Sequence, residues 1–142
     1  MTLHLTHISP SFALQVSDRL VRGGVAVPLA NKNILYSARD SFVSMGYTGL
    51  AYGLASDPDI PTDEWIAQIL WRKPIPRGPD GVSPVAFGLA SISGRMDLRL
   101  SLQVIRDELQ NAINRLPSDR RDLSFELIVS GWRQGRRASA QP

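Results

Sequence analysis

An α+β class with an antiparallel sheet is what this sequence predicts, and three observations predict it. Four strand-like runs crowd into the first fifty residues with short turns between them, which suits hairpins and leaves no room for crossover helices. One long run, Asp97 to Leu116, repeats its apolar residues at helical intervals. A last alternating run, Leu123 to Gly131, returns after that helix as a strand. Strands gathered first, then a long helix and a returning strand, are the order of an α+β domain rather than of repeated βαβ units.

Leu3 to Ile8 reads as a short strand rich in Thr and Leu. Ser9-Pro10 turns the chain, because proline fixes φ and has no N–H to give a ladder. From Ser11 to Leu20 the pattern alternates, with Phe12, Leu14 and Val16 on one side and Ala13, Gln15 and Ser17 on the other. That is the signature of a half-buried strand, expected to pair with the first as a hairpin. His4 and His7 are three apart and fall on opposite faces of a strand, so they are read as ordinary strand residues and not as a metal pair. Gly23-Gly24 and Pro28 break the pattern. Asn33 to Ala38 is a third strand, Arg39-Asp40 a turn, and Ser41 to Tyr47 a fourth strand carrying Phe42, Val43 and Met45.

The run Thr48-Gly49-Leu50-Ala51 follows that strand with small residues, which let the backbone come close to another group. Thr62 is the expected N-cap of a helix, with Asp63 and Glu64 in the first turn, where carboxylates complement the helix dipole. Trp65, Ile66, Ile69 and Leu70 make its apolar face. Arg72 to Pro84 is a proline- and glycine-rich loop, and Val85 to Ser93 fits either a strand or the start of a helix. In the long helix, Leu98, Leu102, Ile105, Leu109, Ala112, Ile113 and Leu116 share one face, and Pro117 ends it. In the last strand Phe125, Leu127 and Val129 oppose Glu126, Ile128 and Ser130.

At 142 residues, 43% hydrophobic and 20% charged, the chain has the length and composition of one domain with a real core. Residues 1–132 are assigned to it and 133–142 to a basic, disordered tail. The absence of cysteine removes disulfides and thiolate metal sites. No apolar run approaches membrane-spanning length and no signal peptide is visible, so no membrane partner is expected and the cytoplasm is the default location. The net charge of +3 raises nucleic acid as a partner, but five arginines, Arg120, Arg121, Arg133, Arg136 and Arg137, sit near the end, and no nucleic-acid motif accompanies them. Nucleic-acid binding therefore ranks last among the functions considered.

The residues that carry chemistry lie near the start. A threonine hydroxyl is a weak nucleophile and needs a base. The α-amine of the same residue can serve once Met1 is trimmed, since its pKa is about 8. A lysine beside the hydroxyl would lower its pKa, and an aspartate would hold that lysine charged. Thr2, Lys32 and Asp18 could take these parts, and the first hairpin would bring Asp18 back toward Thr2.

Thr2, the Ser17-Asp18-Arg19 triplet sixteen residues on, Lys32 and the run Gly46-Tyr47-Thr48-Gly49 together resemble the opening of proteasome-type N-terminal-nucleophile (Ntn) hydrolases, nearest to uncharacterised bacterial relatives of that family. The resemblance covers about Thr2 to Leu70. It implies an Ntn-like sandwich of antiparallel sheets packed with helices, a peptide or amide substrate, no metal or organic cofactor, and homo-oligomers. It also implies catalytic roles for Thr2, Asp18 and Lys32, with the Gly49 N–H at the oxyanion. The chain departs from the pattern in a slightly short interval from Thr2 to Lys32 and in its length, so an incomplete sandwich or a piece of a longer protein stays open. The alternative function is that of a non-catalytic assembly subunit with the same fold.

Overall fold

A computed structural model describes residues 4–17, 32–77, 91–93, 96–118 and 125–133. Within them the elements are β1 (His4–Ile8), β2 (Ala13–Ser17), β3 (Asn33–Ser37), β4 (Ser41–Thr48), α1 (Thr62–Trp71), β5 (Ser91–Ser93), α2 (Leu98–Arg115) and β6 (Glu126–Arg133). The α+β class stands. The sequence runs at Gly23-Gly24 and Pro28 lie outside the described residues, as do Leu3, the end of the second predicted strand and most of the loop before Pro84.

The strands divide into two sheets. β1 and β2 form an antiparallel hairpin with Leu5 opposite Val16 and His7 opposite Leu14. Its turn is closed by Ser9, whose N–H donates to the Phe12 carbonyl and whose hydroxyl accepts from the Phe12 N–H. The other sheet has the order β5-β3-β4-β6. It is mixed, since β5 runs parallel to β3, a departure from the purely antiparallel expectation. Ser91–Ser93 thus settles the ambiguous run at its C-terminal end as strand.

One face of the four-stranded sheet is the core. Ile34, Tyr36, Val43, Met45 and Tyr47 project from it against Trp65, Ile66, Ala67 and Leu70 of α1 and Ile105 and Ala112 of α2. The buried Tyr36 hydroxyl shares a 2.7 Å hydrogen bond with Ser101 of α2, tying helix to sheet. α2 keeps its sequence-predicted limits because Asp97 caps it, accepting from the Leu100 N–H at 2.8 Å. Asp40, in the β3–β4 turn, accepts from the Leu98 N–H at 2.8 Å. That hydrogen bond, helped by the Ser41 hydroxyl and the Arg133 charge, holds the Asp40 carboxyl below the ordinary aspartate pKa against the opposing effect of desolvation. β6 runs through Arg133, which pairs with Ser41 and bridges to Asp40 at 3.4 Å. Arg133 therefore belongs to the sheet, one residue past the expected boundary, because its backbone completes the ladder beside β4.

The hairpin lies on the opposite face, and it lies the other way up from the expectation. Gln15 faces the sheet, where its amide accepts from the Ser44 hydroxyl at 2.5 Å and donates to the Ile128 carbonyl at 3.5 Å. Phe12, Leu14 and Val16 point outward, Leu14 being 54% exposed. The alternation is present, but its polar side is the one that docks, with Gln15 reaching the Ser44 hydroxyl and the Ile128 carbonyl.

Candidate functional site

Of the residues assigned to catalysis, Lys32 and Gly49 are described; Thr2 and Asp18 lie outside the described residues. Lys32 immediately precedes β3 and extends its ladder by one residue, its carbonyl accepting from the Tyr47 N–H at 3.1 Å. Strand alternation puts Lys32 on the side of Ile34 and Tyr36, toward the helices, and only 3% of it is exposed. A lysine is almost never so buried without a compensating environment.

The open end of the hairpin is anchored beside Lys32. The Asn33 side-chain amide donates to the Gln15 carbonyl at 3.5 Å. Gln15 is two residues from Ser17, and Ser17 pairs with His4, where the described part of the hairpin opens.

Gly49 ends β4 as an exposed residue with φ 108°, a left-handed backbone that glycine adopts without the steric cost of a side chain. The residues after it hold the helix. The Thr62 hydroxyl donates to the Leu50 carbonyl at 2.6 Å and the Thr62 N–H to the Ala51 carbonyl at 2.8 Å. Helix packing therefore accounts for Leu50 and Ala51. It also corrects the cap: Pro61 is the N-cap and Thr62 the first helical residue, its hydroxyl turned back to the β4 exit instead of to its own helix.

The first turn of α1 differs more sharply from expectation. Asp63 and Glu64, expected as dipole-complementing carboxylates of the first turn, are 0% and 2% exposed. Glu64 is met by a two-pronged Arg77, Nε to Oε1 at 3.2 Å and Nη2 to Oε2 at 3.3 Å, and by the Gln68 amide at 3.1 Å. Asp63 lies against Tyr47. Burial first, and the Asp63 charge second, push the Tyr47 hydroxyl far above the ordinary tyrosine pKa. Burial also raises Tyr52, with Asp63 and then Asp59 adding to it. Sequence reasoning missed this cluster. The one available signal was a Thr-Asp-Glu-Trp start following Pro61, and a capping pattern explains that string equally well.

Among the described residues no group of His, Asp or Glu is arranged to hold a metal ion. His7 is on the outward face of the hairpin, its ring 5.4 Å from that of Phe12. No described helix is long and apolar enough to cross a membrane. Compared with family models, curated proteins and solved structures, the chain matches none of them.

Proposed function

We propose that this chain is an N-terminal threonine hydrolase of proteasome-like type acting on an amide or peptide bond. The observation that carries the reading is the buried Lys32 at the corner where the open end of the β1–β2 hairpin meets the start of β3. A lysine kept out of water is not a solvated surface charge, and that burial supports a role for it beside a reacting hydroxyl. In this reading the Thr2 hydroxyl attacks the carbonyl carbon and its proton passes to the Thr2 α-amine. The new C–O bond leaves an oxyanion, toward which the Gly49 N–H donates. The C–N bond breaks as the amine leaving group takes the proton, and water then hydrolyses the ester on Thr2. Asp18 and the charge on Lys32 favour the reactive form of the hydroxyl. No metal or organic cofactor takes part.

An epoxyketone tests this directly, because closing its stable ring adduct takes a hydroxyl and a free α-amine on one residue. Intact mass should show loss of Met1 and a single adduct. Thr2→Ala should give no adduct, and Lys32→Ala should slow labelling by about 10²-fold or more. A chain that has lost Met1, is folded and remains unlabelled at millimolar probe would defeat the catalytic reading.

The non-catalytic assembly subunit has its own supporting observation. Leu5, Phe12, Leu14 and Val16 are all about half exposed on the outward face of the hairpin, an apolar surface of the kind that associates. Sedimentation at micromolar concentration should then show an oligomer that Leu14→Asp disperses. A monomer at all concentrations counts against assembly.

A further inference from the structure

We propose that Asp63, in the first turn of α1, is a positioning residue for Lys32, supplying the buried negative charge that holds the lysine in place from the helix side. The inference deepens the hydrolase reading and rests on it for Lys32's role, but the juxtaposition stands on the fold. Lys32 and Tyr47 are directly opposite on neighbouring strands, on the helix-facing side. Directly opposed side chains leave their strands about 5 Å apart. Both project toward α1, whose N-terminus is fixed at the exit of β4 by the two hydrogen bonds from Thr62 to Leu50 and Ala51. That docking sets Asp63 over Tyr47, and hence beside the tip of its cross-strand neighbour Lys32.

The groups that face this point can be named. From the residue before β3 comes Lys32, and Tyr36 of β3 is turned to Ser101. From β4 comes Tyr47. From α1 come Asp63 and Glu64, and Tyr52 approaches from the loop between β4 and α1. Glu64 is engaged by Arg77 and Gln68. Asp63 is the carboxylate on the Tyr47 side, fully buried with Lys32 at 3% exposure. Two buried opposite charges in one low-dielectric pocket stabilise each other, whereas either one alone is costly.

The chain has two lysines, Lys32 and Lys73, which makes the test direct. With ε-¹³C-lysine, each gives one resonance, and Lys73, stacked over Trp71 at 4.1 Å, is the internal reference. In Asp63→Asn, at one fixed pH, the Lys32 resonance should move away from its wild-type position as the lysine loses its buried partner, while the Lys73 resonance stays in place. Asp18→Asn is the comparison arm. A folded D63N protein with an unmoved Lys32 resonance, or a Lys32 resonance that responds to D18N alone, overturns the proposal. Should D63N alone fail to fold, the double variant Lys32→Met/Asp63→Asn decides. Restored folding, or a Tm above that of D63N, supports the pairing; a double variant no better than D63N overturns it. Neither readout involves hydrolysis, so failure of epoxyketone labelling leaves this result separately interpretable.

Discussion

The two faces of the four-stranded sheet follow opposite rules. On the helix side, apolar residues and charges are buried together: Ile34, Tyr36, Met45 and Tyr47 share the interior with Lys32, Asp63 and Glu64. On the hairpin side, contact is made through polar groups, Gln15 with Ser44, Ile128 and Asn33, while the apolar residues of the hairpin look outward. The difference teaches where stability and where adjustment reside. A dry interface holding charges is rigid, since every displacement exposes an uncompensated group. An interface held by a few exchangeable hydrogen bonds can part at small cost.

Core truncation on the helix side should have the largest effect. Ile66→Ala removes a fully buried side chain between α1 and the sheet and should cost about 2–5 kcal/mol in denaturant unfolding, with the lost volume left largely unfilled. A loss under about 1 kcal/mol would mean that this face is as loosely packed as the other. Glu64→Ala comes next. It leaves Arg77, itself partly exposed, and Gln68 without their buried acceptor and should cost about 1–2 kcal/mol, measured the same way.

The alkaline limb of stability sharpens the contrast further. Tyr47 is raised far above its unfolded value of about 10. Below pH 10 both states keep the phenol neutral and nothing changes. Above it the unfolded chain releases the proton and the folded chain does not, so the unfolded state is favoured as pH rises. Stability should fall by roughly 1.4 kcal/mol per pH unit from this one group. Tyr47→Phe should flatten that slope, and an unchanged slope would place the alkaline loss elsewhere.

The hairpin side should give the smallest effects. Gln15→Ala removes its side-chain bonds to Ser44 and Ile128 and should cost about 1 kcal/mol, with amide exchange in β1 and β2 speeding up well before that in β3 and β4. Leu14→Ser, on the outward face, should change monomer stability by less than about 0.5 kcal/mol. A large loss there would show that the apolar face is covered in solution.

Much of this architecture was legible in the residues. The α2 helix and its Asp97 start were readable because seven apolar positions and a capping side chain agree locally. The hairpin was readable because Ser9-Pro10 separates two alternating runs. Lys32 could be picked out as a candidate, since a lysine at the head of a strand is visible in sequence. What the sequence could not contain was which side of each pattern meets another layer. Alternation in β2 says that two faces differ, but only the sheet it lands on decides that Gln15 goes in and Leu14 out. Thr62, Asp63 and Glu64 have the composition of a solvated helix start, and their burial follows from Thr62 binding the Leu50 and Ala51 carbonyls at the exit of β4. The parallel pairing of Ser91–Ser93 with β3 likewise joins segments more than fifty residues apart. Periodicity is a local property and survives in the linear text; burial is a property of what packs against it, and only the tertiary structure decides that.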